Sequence, residues 1–365
     1  MNLHTAMKLA WPPREKLPYN KFPGFVFSNG PTTRKFFSLK CEPYSNNLQD
    51  AKRESVIDWL LEEKQPAVRY FALTDLLGRQ RKDSEVAKAY SNISKRGWAF
   101  DILQSQKREG HWQSARSLYT PKYTATNWMC LILSDLGLTA EDTRVRKAAD
   151  LFFKQWLAAP PMTNIFNDEV CVVGNTARML TRFGYADEFR VKKLFDSLVE
   201  DQKEDGGWHC FKSSTGTLDC WEALAAFATL PKSKRTRRIR NSIERGAEFY
   251  LERGLIRDGN KRYAPWLRFH YPNHYYYDIL VGLDVVTRLG YGNDRRLRPA
   301  LGILSKKRQG NGTWLLEKAH PDLGSGAQYA LRKKARPFAL EEPGKPSKWI
   351  TLTALRVLKR VEETS

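Results

Sequence analysis

The 365-residue sequence predicts an all-α fold, in which six outer and six inner helices alternate and close into a two-layer (α/α)6 toroid behind an extended N-terminal arm. Three observations predict it. The word Q-x-x-x-G-x-W occurs at Gln106–Trp112 and again at Gln202–Trp208, and Arg308–Trp314 keeps its Gly and Trp. These marks lie about 100 residues apart, or two units of about 50, a period that belongs to arrays of repeated elements. Apolar stretches running up to Gly78, Gly137, Gly184 and Gly290 end in similar words, ALTDLLG, LILSDLG, MLTRFG and VVTRLG. Each closing Gly suits the left-handed position that ends a helix. Charged amphipathic stretches separate them, and no alternating apolar pattern asks for a sheet.

The inner helices are expected over Pro66–Gly78, Thr124–Gly137, Asp168–Gly184, Thr217–Leu230, Asn273–Gly290 and Ser347–Val361. Each is apolar on most faces, as a helix in a buried layer must be. The outer helices are expected over Leu48–Glu63, Ser84–Gln106, Asp142–Leu157, Asp187–Gln202, Arg237–Arg253 and Asp294–Lys307. Ring closure covers both faces of every inner helix and removes the exposed end repeats that an open solenoid must cap. This gives one domain over 48–365. Residues 1–47 hold six prolines and several aromatics without helical period, and read as an arm. The other irregular stretch, Glu317–Pro346, is long for a compact fold, and its Glu341, Glu342 and Lys345 are candidates for a lid.

Composition narrows the function classes. A net charge of +21 favours anionic partners. Nucleic acid, a phosphorylated small molecule and an anionic lipid surface all fit it, as does a solvated basic exterior. The densest basic runs are Lys232–Arg240 and Arg332–Arg336, and no zinc-finger, RNP or GXXG word accompanies them. No apolar run is long enough for a transmembrane helix, and the first residues lack the apolar stretch of a secretory signal. Five scattered cysteines argue against a disulfide scaffold and for a reducing cytoplasm.

Parallel inner helices place six N-termini on one face of the ring, where free N–H groups and partial positive charge attract anions. The residues at these starts and in the loops before them are the candidate site. Arg69, Lys122, Arg268 and Lys348 would draw an anionic head. Tyr119, Trp128, Trp221, Tyr275, Tyr277 and Trp349 would wall an apolar part, Trp128 serving equally as helix packing. Glu169, Asp219 and Asp278 are candidate acids or bases, and His274 a proton carrier. Acids are favoured in the first turn of any helix, so each carboxylate taken alone is explained as a cap. Cys171 and Cys210, with His209 and His274 expected nearby, are candidate zinc ligands, set against the commoner role of buried cysteine as inert core.

The Q-x-x-x-G-x-W marks resemble the QW repeats of the squalene/hopene cyclase and protein prenyltransferase β-subunit superfamily, over about residues 48–361. The resemblance implies the toroid. It also implies that Gln106, Trp112, Gln202, Trp208 and Trp314 tie helix ends together rather than act on a ligand. It implies further a central cavity for an apolar, anionic ligand such as an isoprenoid diphosphate. The chain departs from that superfamily in two ways. It has no D-x-D-D acid, and the Asp-x-Cys pair of the zinc site is reduced to Asp219-Cys220 with no late His near Lys348. Other readings stay open: a toroidal scaffold for nucleic acid or an acidic partner, and a glycan-active barrel using Asp219 and Asp278 as paired carboxylates.

Overall fold

The computed structural model describes residues 55–158, 169–259, 263–319, 338 and 340–364. The expected arm, Asp168, the run Arg332–Arg336 and most of the 317–346 stretch lie outside them. The first helices in order are α1 (55–60), α2 (Pro66–Phe71, continued by the wider turn Ala72–Leu76), α3 (Ser84–Asn92) and α4 (Gly97–Gln104). Next come α5 (Thr126–Asp135), α6 (Thr143–Gln155), α7 (Val170–Leu180), α8 (Phe189–Glu200) and α9 (Glu222–Thr229). The last are α10 (Arg237–Glu252), α11 (Ile279–Arg288), α12 (Arg298–Lys306) and α13 (Lys348–Thr364). No strand occurs among the described residues; isolated bridges join His270 with Lys318 and Leu315 with Pro346.

The inner layer is α2, α5, α7, α9, α11 and α13. Every residue of α7 is buried, and so is all of α5 except Asp135. The outer layer is amphipathic and starts on short polar caps. Asp83, Asp142, Glu188 and Thr236 accept backbone N–H groups at the starts of α3, α6, α8 and α10. The expected single helix Ser84–Gln106 is broken into α3 and α4. Gly97 sits at φ +70°, and a Cβ there would come within 2.7 Å of the Gln65 side chain, so the chain turns where α4 abuts the start of α2. The expected N-terminal turns of the fourth and fifth inner helices are also absent. Leu218–Cys220 is a 3-10 turn, and the residues from Asn273 to Tyr277 are irregular before α11.

The repeated marks are joints between outer helices. The Trp112 indole donates to the Ile102 carbonyl at 2.9 Å, Trp208 to Leu198 at 2.8 Å and Trp314 to Leu304 at 2.8 Å. Each therefore caps a free carbonyl at the end of the helix before it. The Gln106 amide donates to the carbonyls of Gly110 and Arg144, both at 2.9 Å, linking α4 to the first turn of α6. Gln202 repeats this with Gly206 at 2.7 Å and Ser242 at 2.9 Å, linking α8 to α10. The third mark has no such glutamine, and there the Trp contact stands alone.

The ring closes where α13 meets the start of the chain. Lys348 Nζ lies 4.3 Å above the Trp59 ring, donates to the Trp59 carbonyl and pairs with Glu62 at 3.1 Å. Farther along, Arg356 pairs with Asp75 at 2.6 Å, and Lys359 donates to the Asp75 carbonyl at 2.8 Å. The last inner helix is thus fixed at its start to α1 and the turn after it, and farther along to the end of α2.

The joints make a stability prediction. Gly110 has φ +97°, and a Cβ would lie 2.8 Å from Lys147 Cβ; Gly184 has φ +104° with nothing within 4 Å. Alanine at either position incurs about 1–2 kcal/mol of left-handed strain. Gly110→Ala also forces α6 away, at a further cost of about 1–3 kcal/mol. Urea unfolding should show Gly110→Ala losing clearly more stability than Gly184→Ala. Equal losses would mean that the joint gives way freely.

Candidate functional site

The inner helices alternate with antiparallel outer ones, so their C-termini crowd one end of the ring. The free carbonyls there carry partial negative charge, and basic side chains are drawn to them. Arg178 and Arg182 come from α7 and the turn after it, Arg288 from α11, and Arg356 and Arg360 from α13. Three carboxylates lie among them. Asp135 is contacted by Arg182 and lies 3.6 Å from Arg178. Asp284 lies 2.9 Å from Arg360 and 3.6 Å from Arg288, and Asp75 pairs with Arg356.

These groups ring a central cavity of about 380 Å³, which six arginines and four aspartates line, Arg81 and Asp278 included. A second hollow of about 310 Å³ adjoins at the same end, between Asp75, Arg288, Arg356 and Lys359. The excess of cations leaves its imprint on the groups themselves. Burial, together with repulsion from Arg182, Arg360 and Arg356, brings Arg288 down to about 10 despite Asp284. Burial would raise the Asp284 carboxyl, but Arg360 and Arg288 more than reverse this and hold it well below the ordinary carboxylate range. Nε atoms of Arg178 and Arg356 are buried without a partner among the described residues.

The inner end of the cavity is apolar and closed. Trp221 and Trp349 line it with Phe71, Leu280 and Ile350. Trp349 stacks on Tyr271 with centroids 4.8 Å apart and meets the edge of Phe71 at 6.2 Å. The Arg178 guanidinium lies 5.0 Å from the Trp221 ring centre, where the cationic and aromatic halves of the cavity meet.

One polar pair sits in this floor. Asp278 caps α11 by accepting Val281 N–H at 2.9 Å, and its other oxygen accepts His270 N–H at 3.0 Å. The same oxygen lies 2.7 Å from His270 Nδ1. A carboxylate already accepting two backbone N–H groups is the acceptor here too, so the imidazole carries its proton on Nδ1. In the neutral imidazole this leaves a lone pair on Nε2, an atom that is buried with no partner among the described residues. An imidazole held in this way can accept a proton and return it.

The other rim of the ring, which the sequence marks as the site, is filled. Tyr123 stacks on His274 at 5.3 Å, its hydroxyl lies 3.0 Å from that of Tyr275, and Lys122 Nζ lies 4.4 Å from the Tyr275 ring centre. Trp128 packs against the same His274 and donates to the Tyr119 carbonyl at 2.7 Å, so it is packing and not cavity wall. Bulky side chains from loops far apart in sequence thus plug the end at which six helix N-termini meet. Of the expected site residues, Trp221, Asp278 and Trp349 line the cavity.

Glu169, Cys171 and Cys210 also come together, away from it. Cys220 lies 3.5 Å from Cys210. Hydrogen bonds from the Cys171 and Cys220 thiols and from Cys171 N–H bring the Cys210 thiol well below its ordinary value. Beside them Glu222 is fully buried, and burial and Cys210 hold its carboxyl well above the ordinary range.

The remaining expected residues are placed elsewhere. Arg69 reaches the Leu61 carbonyl and Glu85 in the outer layer, Arg268 is exposed, and Lys348 closes the ring. Tyr277 donates to the Leu255 carbonyl at 2.8 Å. Asp219 accepts the Trp266 indole N–H at 2.7 Å and does not line the cavity, so it does not face Asp278 across it. His209 turns its Nδ1 to Phe211 N–H, and Glu341 caps α13, accepting Lys348 N–H at 2.6 Å.

His270 falls among the loop residues before the inner helices, without a role of its own; the cavity arginines are the residues that sequence reasoning passes over. A signal for two of them exists: T-R-x-G closes both MLTRFG and VVTRLG, and its arginines are Arg182 and Arg288.

No protein-family model matches the chain, and no curated protein matches it. Solved structures do. The type II terpene cyclase MstE from Scytonema, in complex with geranylgeranyl dihydroxybenzoate, is 15% identical over 87% of this chain and 99% of that one, with a TM-score of 0.44. Its apo form is 15% identical over 87% and 98%, with a TM-score of 0.41. A protein from Actinoplanes is 14% identical over 86% and 99%, with a TM-score of 0.42. The likeness is one of helical architecture, and no residue role is carried across from it. Among the described residues no helix is long and apolar enough to cross a membrane.

The electrostatics predict a pH dependence. A carboxyl held low in the folded state stabilises it fully above its unfolded value of about 3.9. The contribution falls as pH drops below that value and vanishes below the folded pKa. Asp284→Asn should therefore cost stability at pH 7, and the gap to the unsubstituted protein should narrow steadily below about pH 4. A gap that does not change with pH in this range would show that the arginines do not hold Asp284 charged.

Proposed function

We propose that the central cavity takes an amphipathic anion of the isoprenoid diphosphate class. The supporting observation is the polarity of a single hollow, with surplus arginines at the mouth and a tryptophan-lined floor. The anionic head sits among Arg182, Arg288 and Arg360, where charge-assisted hydrogen bonds from guanidinium groups suit phosphate oxygens. The hydrocarbon runs inward against Trp221 and Trp349. A volume of 380 Å³ falls in the usual range of small-molecule sites, about 300–1,000 Å³.

The activity we propose is acid–base chemistry on that hydrocarbon, of the cyclase or transferase kind. When the C–O bond to the diphosphate breaks, its electron pair leaves with the diphosphate among the arginines, and the aromatic faces of Trp221 and Trp349 stabilise the positive charge left on carbon. His270 Nε2 accepts a proton at the floor, and Asp278 steadies the imidazolium that results. Asp278 is the one expected carboxylate that lines the cavity, and its role shifts from free acid to the partner of a histidine.

Binding separates the parts. Geranylgeranyl diphosphate should bind more tightly than the neutral alcohol, geranylgeraniol. Arg288→Gln should weaken the diphosphate by about 10- to 100-fold, the loss of one charged hydrogen bond, and leave the alcohol nearly unchanged. Equal affinities for the two ligands in the unsubstituted protein would remove the reading. His270→Gln should keep binding and abolish proton exchange between bound ligand and solvent deuterium.

A further inference from the structure

A buried thiol cluster stands apart from the central cavity, and nothing in the proposed chemistry uses it. Three separate segments build it. Cys171 lies in the first turn of α7, Cys210 follows the Trp208 joint, and Cys220 ends the 3-10 turn that leads into α9. Glu169, just before α7, adds a carboxylate. Single ligand atoms of Glu169, Cys171 and Cys210 all lie within 4.8 Å of one another. Cys171 Sγ is 3.6 Å from Glu169 Oε2, and Cys220 Sγ is 3.5 Å from Cys210 Sγ.

The separations among Glu169, Cys171 and Cys210 suit one metal ion, and Cys220 lies against Cys210 at the edge of that set. Zinc binds thiolate sulfur at about 2.3 Å, so two sulfurs on a tetrahedral zinc stand about 3.8 Å apart. The donor set is soft sulfur with one carboxylate, which selects zinc over magnesium or calcium. Cys171 meets Cys210 across 39 residues of chain, which sets this cluster apart from a single cysteine in inert core. The fourth described cysteine, Cys130, is buried in α5 and shows that ordinary case.

We propose that Glu169, Cys171 and Cys210 form the core of a zinc site that clamps the segment 208–220 between α7 and α9, with Cys220, 3.5 Å from Cys210 and outside that set, drawn in by the ion as the fourth ligand. Four protein ligands fill the tetrahedron and leave no open position, so the ion is structural. Its effect still reaches the cavity. Cys220 directly precedes Trp221, and α7 carries Arg178, so the clamp fixes both partners of the cation–aromatic contact in the cavity wall. The site does not depend on which ligand the cavity takes.

The full-length protein, produced with zinc in the medium and purified under reductant, should carry one zinc per chain by elemental analysis. After chelation, cobalt(II) added alone should give the visible bands of tetrahedral cobalt and a near-ultraviolet thiolate charge-transfer band. Cys210→Ala should lose the metal, and Cys130→Ala should keep it. Should Cys210→Ala fail to fold, the cobalt spectrum of the unsubstituted protein still decides. Substoichiometric zinc with only an octahedral cobalt spectrum overturns the proposal. So does a native Cys210–Cys220 disulfide found by mass spectrometry in protein purified without oxidant.

Discussion

Six inner helices that point the same way set the terms for the rest of this molecule. Their C-termini bring unpaired carbonyls to one end of the ring, and the resulting negative potential must be met by cations. Lys359 and Arg360 meet it directly, by donating to the carbonyls of Asp75 and Asp284. The arginines exceed what the nearby aspartates neutralise, and that surplus turns a structural compensation into an anion-attracting mouth. The same parallel arrangement puts the N-termini at the other end. There a cap such as Asp278 is already required, and it becomes the partner of His270 without any further element being added.

Closure gives the cavity its two-part character. Arg356 and Trp349 are both on α13, and they reach opposite parts of the hollow because that helix runs along it from floor to mouth. The contacts that hold α13 to the start of the chain therefore also hold the charged and aromatic halves in register. Loss of the contact between Lys348 and the Trp59 region would loosen both together. The outer joints act on a different level. By fixing α4 to α6 and α8 to α10, they set the spacing of the outer ring, on which the inner helices rest.

Much of the fold is legible in the sequence because its causes are local. Caps such as Asp83, Asp142 and Thr236 act within one turn, and the glycines that end helices sit at positive φ at Gly78, Gly137, Gly184 and Gly290. The tryptophan of each mark serves the helix end ten residues before it, so its spacing survives in the chain. The break at Gly97 is not legible, since it depends on Gln65 from a neighbouring helix. In the site, Asp278 is visible as a cap and Trp221 and Trp349 as aromatics at inner-helix starts. The arginines are hidden because a basic residue near a helix C-terminus is ordinary, and only their convergence is unusual.

The sequence by itself determined that helices alternate between buried and half-buried layers, where most of them begin and end, and which side chains serve as joints. Tertiary structure alone decided which end of the ring is hollow. Tyr123, His274 and Tyr275 come from loops about 150 residues apart, and they fill one end only after closure brings them together. The order of residues records the period of each helix. It does not record the volume left when six of them meet, because that volume depends on which distant side chains arrive at the same place.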